Sequence, residues 1–99
     1  MQTTYTLDQL KSLLAPVFHR NSVRKATLFG SYVSGTATAR SDVDLLVDSG
    51  LHGLSFFGLL EDVCQCLKCD VDLIDVADVI PDSPIDREIR ATGVIIYEQ

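Results

Sequence analysis

Two aspartates one residue apart, Asp42 and Asp44, stand at the start of an apolar run, SDVDLLV, twelve and fourteen residues after a glycine and a serine, Gly30-Ser31. Side chains alternate across a strand, so Asp42 and Asp44 share one face, about 6.5–7 Å apart. A later segment, DVDLIDV, repeats the device with Asp70 and Asp72 on one face and Asp75 on the other. If the two strands are neighbours, three or more carboxylates meet on one patch. At about 4 Å and an effective dielectric near 20, each like-charge pair costs up to about 4 kcal/mol, so a cation is expected there. Clustered hard oxygen ligands suit Mg²⁺ or Mn²⁺. Gly30 permits close approach of a ligand to the backbone, and Ser31 opens a short helix whose free N–H groups and hydroxyl suit a phosphate. Together these features describe metal-assisted phosphoryl or nucleotidyl transfer, with metal ions stabilising charge on an in-line transition state. D-x-D alone or Gly-Ser alone is also what a solvated acidic edge would show. The whole order of strand, Gly-Ser, short helix, small-residue loop, D-x-D strand and later aspartate strand is far more specific.

The elements that must position these residues follow from periodicity. Thr6 and Gln9 fit a capping box for a first helix, with Leu7, Leu10, Leu13, Leu14, Val17 and Phe18 at helical spacing. Pro16 lies inside that pattern and is expected to kink it or start a fresh turn. Strands are expected at 23–29, 42–48 and 70–76, a brief helix at 31–34 stopped by Gly35, and a long helix at 54–68. Pro84 starts a last helix to about Thr92, ended by Gly93, and VIIYE closes as a strand or extended tail. The order α-β-(short α)-β-α-β-α-β is that of an α/β fold, a mixed sheet with helices packed on it.

The 99 residues fit a single domain with one modest core. The hydrophobic fraction of 46% excludes general disorder, and no apolar run approaches the roughly 20 residues of a membrane span. The N-terminal segment does not have the shape of a signal peptide, so a cytoplasmic protein is expected. A net charge of -6 argues against nonspecific nucleic-acid binding, which depends on Lys and Arg against phosphates. Cys64, Cys66 and Cys69 are clustered and odd in number, which fits a reducing compartment. On a helix, Cys64 and Cys66 lie about 200° apart, which favours packing over a metal site. His19 suits a helix C-terminus, and His52 lies in a glycine loop. Tyr32 and Tyr97 read as packing residues. Asp70 reads as a strand start and Asp75 as part of a solvated face.

Gly30-Ser31, ten residues, then Asp42-x-Asp44 resembles the GSX10DXD signature of the minimal nucleotidyltransferases (MNT) of the DNA polymerase β-like superfamily. SDVDLLV, VDLIDV and the closing IDREIRATGVIIYE resemble that family too, so the likeness covers nearly the whole chain. The resemblance implies a polymerase β palm-like fold. It implies two Mg²⁺ ions held by Asp42 and Asp44, with Asp72 on the catalytic metal and serving or assisting as base. Gly30 and Ser31 would hold the triphosphate of ATP. The sequence departs from the common G-S-x-A-R-G pattern: Ser34 stands where relatives carry arginine. Arg40, at the other end of the loop, is the candidate replacement for that charge.

Family members of this size often pair with a HEPN ribonuclease in a toxin–antitoxin system. The resemblance therefore implies an antitoxin that neutralises a HEPN toxin by transferring AMP to its tyrosine, or by stable binding. Two other readings stand beside it. One is nucleotidyl transfer to a small molecule such as an aminoglycoside, with a helical partner subunit. The other is a catalytically inactive binding module. An exposed sheet edge or an apolar helix face would support homo- or hetero-oligomers.

Overall fold

The structure is a computed structural model and describes residues 4–38 and 41–99. The elements in order are α1 (Leu7–Arg20), β1 (Lys25–Phe29), α2 (Ser31–Ser34), β2 (Val43–Asp48), α3 (Leu54–Leu67), β3 (Val71–Asp75), a 3-10 turn (Val76–Asp78), α4 (Pro84–Thr92) and β4 (Val94–Glu98). The four strands form one mixed sheet in the order β3-β2-β1-β4. β1 runs antiparallel to both β2 and β4, and β2 runs parallel to β3.

Binary patterning explains the layers. Val43, Leu45 and Val47 alternate onto one face of β2 and are fully buried. That face meets Leu10, Leu14, Val17 and Phe18 of α1 and Leu59, Val63 and Leu67 of α3, spaced at three and four residues along each helix. The opposite face carries Asp44, Leu46 and Asp48 and is only partly covered, with α4 lying against β1. The acidic face is therefore the open one.

Local signals behave as expected at most ends. Thr6 and Gln9 form the reciprocal capping box on α1. Ser83 caps α4 by accepting from Asp86 N, with Pro84 in the first turn. α1 runs without interruption through Pro16; Pro16 and Ser12 both sit on its exposed side, where water can satisfy the carbonyl that proline leaves without a donor. β1 starts at Lys25 rather than Val23, because the chain is still closing α1: Ser22 takes a positive φ and Val23 N donates to Phe18 O. β4 is a full strand, held on β1 through a register shift between Ala26 and Thr27. Among the described residues no helix is long and apolar enough to cross a membrane.

Candidate active site

The sheet register brings the acidic residues together. Asp44 lies directly opposite Asp72 across the parallel β2–β3 pair, and opposite Phe29 across β1. Neighbouring strands are about 4.8 Å apart, so the two carboxylates leave the same face side by side. Asp42 stands one residue before β2, where Val43 N donates to Asp70 O and starts the ladder. It is exposed, as is Asp72, whereas Asp44 is half-buried between the flanking strands.

The electrostatics follow. Burial, then Asp72, then Asp42, then Glu88 of α4 push the Asp44 carboxyl up to about 6. Glu88 is a member of this acidic surround that periodicity did not single out; its signal was only a glutamate on the last helix, with no spacing to tie it to β2. Among the described residues the ion pairs are Arg20–Asp62 and Arg90–Asp86, and neither involves Asp42, Asp44 or Asp72. A half-buried carboxylate flanked by other carboxylates is an arrangement that a cation relieves.

Gly30 adjoins this group. It has φ +78, and a Cβ placed there would lie 2.1 Å from Asp44 Oδ2. Glycine is thus required twice, for the left-handed backbone and for the room that Asp44 occupies. The turn that follows is α2, with Gly30 as N-cap and Gly35 as a left-handed C-cap. Val33 N and Ser34 N both donate to Gly30 O, and Ser31 O accepts from Gly35 N. The N–H groups of Ser31 and Tyr32 precede this pattern, at the end of β1 where Asp44 sits. Gly30, Ser31, Asp42, Asp44 and Asp72 therefore occupy one end of the open sheet face. Ser34 bonds within the turn, to Ser31 O and to Thr36 Oγ1. Arg40, the candidate replacement charge, lies outside the described residues, as does part of the expected 36–41 loop.

The donor set suits a hard divalent cation, being three carboxylates that, among the described residues, no ion pair engages. Among the described residues no three His, Cys, Asp or Glu side chains form a closed metal cage as they stand. Asp42 and Asp72 are exposed, so their side-chain torsions are free to turn toward an ion beside Asp44.

Asp75 corrects the expectation of a solvated face. It is buried, and its carboxylate accepts from Ser49 N (3.1 Å), Ser49 Oγ (2.6 Å) and Ala77 N (2.9 Å). Burial alone would raise its pKa. The Ser49 hydroxyl, the Ala77 and Ser49 amides and the nearby His52 outweigh burial and hold it below the usual carboxylate range. The group is structural, tying the end of β3 to the loop after β2. Ser49 Oγ in turn accepts from Leu51 N.

The cysteines are each partly buried, with Cys66 and Cys69 packed against the core and Cys66 Sγ donating to Leu13 O. Tyr32 packs against the core, and Tyr97 meets Phe18 in a tilted pair with ring centroids 5.4 Å apart. Past Asp44, the open face leads into a cleft of about 540 Å³ between the sheet and α4. Its floor includes Thr27 and Leu46, and Ile89 and Arg90 form the α4 side.

A mixed sheet with paired helices behind it, and a glycine-serine turn beside strand-borne aspartates before it, defines a nucleotidyltransferase. The chain belongs to the polymerase beta nucleotidyltransferase family, whose model matches residues 12–99. It is 27% identical over 78 residues to a candidate protein adenylyltransferase of Methanocaldococcus jannaschii, covering 76% of this chain and 83% of that protein. Its fold is similar to a chain of a toxin–antitoxin complex solved with AMP-PNP, at TM-score 0.76 and 22% identity, over 90% of this chain and 73% of that one. It is also similar to a chain of the tri-AMPylated Shewanella oneidensis HEPN toxin in complex with MNT antitoxin. That match has TM-score 0.71 and 18% identity, over 95% of this chain and 74% of that one.

Proposed function

We propose that this chain transfers AMP from ATP to a hydroxyl of a partner protein, and that the partner is a HEPN-type ribonuclease toxin that the transfer neutralises. Residues 1–99 would act as one nucleotidyltransferase domain, in the cytoplasm beside its target. The observation that carries the reading is the Asp44–Asp72 opposition next to the Gly30–Ser31 turn. The M. jannaschii relative and the AMPylated toxin complex support the choice of AMP and of a protein acceptor.

The residues divide the work. Gly30 and Ser31 cradle the β- and γ-phosphates with backbone N–H groups and the serine hydroxyl. Asp42, Asp44 and Asp72 would hold Mg²⁺, two ions in the full site, which would supply Lewis acidity for the transfer. The acceptor oxygen bonds to the α-phosphorus as the bond to the bridging oxygen breaks, and pyrophosphate leaves on the Gly30–Ser31 side. Asp72, exposed beside the reacting centre, takes or helps remove the hydroxyl proton.

The test is the intact mass of the product of the adjacent reading frame after incubation with this chain, Mg²⁺ and ATP, with an Asp42→Asn, Asp44→Asn variant in parallel. A gain of one or more AMP units, absent with the variant, is expected. No gain with a stable complex would reduce the protein to a binding antitoxin. Neither gain nor complex would move the acceptor to small molecules.

A further inference from the structure

The open sheet face does not stop at the carboxylates. Thr27 pairs with Leu46 as Phe29 pairs with Asp44, so Leu46 is the next side chain after Asp44 on that face of β2, about 7 Å further along. The cleft described above begins there. Its walls come from α4 and from Val76 of the 3-10 turn, and Ile95 of β4 flanks it on the far side. A recess of about 170 Å³ continues it past Val76 toward Val79 and Pro81.

We propose that this cleft is the acceptor groove, seating a polypeptide segment whose hydroxyl-bearing side chain reaches back to Asp44 and Asp72. The assignment rests on the adenylyl-transfer reading and gives it a second binding site.

Three observations carry it. The first is direction. The Gly30–Ser31 turn follows the C-terminal end of β1, whereas Lys25 and Thr27, which line the cleft, stand at its first and middle positions. In-line displacement puts the attacking oxygen opposite the leaving pyrophosphate. With pyrophosphate at the turn, the acceptor must come from the cleft side.

The second is charge. The cleft carries Lys25 and Arg90 against Asp48 and Asp86, a balanced set, with Asp86 and Arg90 paired at 3.0 Å. A polycationic small molecule would select an acidic lining, and a nucleic acid a basic one. A mixed lining with apolar Leu46 on the floor and Ile89 on the α4 side suits a peptide with apolar side chains and charges of both signs. The third is surface. Val76 and Ile95 at the rim and Ile80 near the recess are exposed large apolar side chains, 43%, 45% and 71% accessible. Val76 and Ile95 line the cleft that begins one side chain beyond Asp44, and Ile80 lies between Val79 and Pro81 of the recess, as an apolar anchor surface for a partner segment would.

The test uses the full chain, ATP, Mg²⁺ and the product of the adjacent reading frame as acceptor. Ile95→Glu and Arg90→Glu alter the rim and the α4 wall. Leu54→Glu, at the exposed first position of α3, is the control. Each variant is first checked by thermal melting. The expected result is a tenfold or greater rise in KM for the acceptor with both cleft variants, ATP affinity within twofold of wild type by calorimetry, and no change for Leu54→Glu. Folded cleft variants with wild-type acceptor KM would overturn the groove while leaving adenylyl transfer standing. A matching loss of ATP affinity would also overturn it, because the cleft would then hold the nucleoside. If the wild-type chain itself transfers nothing, the adenylyl-transfer reading fails first and the groove falls with it.

Discussion

At the scale of single residues, Asp44 is held in a charge environment that costs stability. Its carboxyl is pushed up to about 6 by burial, Asp72, Asp42 and Glu88. A raised carboxyl pKa means the folded state binds the proton more tightly than the unfolded chain. Stability is therefore lost as pH rises from about 4 to about 6. The full shift would correspond to about 3 kcal/mol, and because Asp44 is only half-buried, water reduces this to roughly 1–2 kcal/mol. Asp44→Asn should therefore melt higher than wild type at pH 7.5 in metal-free buffer, match it near pH 4, and transfer no AMP. Melts of both proteins across that pH range check the sign; a variant less stable than wild type at pH 7.5 would contradict it.

At the scale of elements, the end of β3 is fixed by one side chain. Asp75 satisfies three donors from Ser49 and Ala77, which anchor the β2–α3 loop and start the 3-10 turn below the cleft. Asp75→Ala removes those acceptors together, and the expected cost is about 2–4 kcal/mol at neutral pH. Because the Asp75 pKa is lowered, its contribution is present above the ordinary value of 3.8 and is lost as pH falls below it. The stability gap between wild type and Asp75→Ala, followed by urea denaturation, should be constant from pH 5 to 8 and should close in acid. The sequence placed Asp75 on the strand face opposite Asp72 correctly but read that face as solvated. Alternation gives the face, not what covers it, and the covering partner, Ser49, is 26 residues away. The capping box, the Pro84 start and the Gly30–Gly35 turn were legible because each depends on residues within a few positions of one another.

At the scale of the whole molecule, the proposed reaction would ask a chain of net charge -6 to handle a triphosphate, which needs positive charge from elsewhere. Between Lys25 and Lys68 the only Lys or Arg is Arg40. Divalent cations are the expected source. Mg²⁺ at ten times its dissociation constant should stabilise the wild type by about 1.4 kcal/mol, an effect absent from Asp42→Asn, Asp44→Asn. Chelation with EDTA should abolish AMP transfer while far-ultraviolet circular dichroism stays unchanged. A chelated protein that still transfers AMP would remove the metal from the proposal.

The sequence by itself determined the element order, the shared face of Asp42 and Asp44 and the Gly-Ser turn, because strand alternation, helix spacing and cap chemistry act over two to four residues. The tertiary structure decided which carboxylates meet. The parallel register of β2 and β3 sets Asp44 against Asp72 across 28 positions of sequence. The packing of α4 onto β1 brings Glu88 into range of Asp44 and opens a cleft beyond Leu46. Those juxtapositions follow from long-range strand pairing and helix docking, whose partners no local spacing identifies.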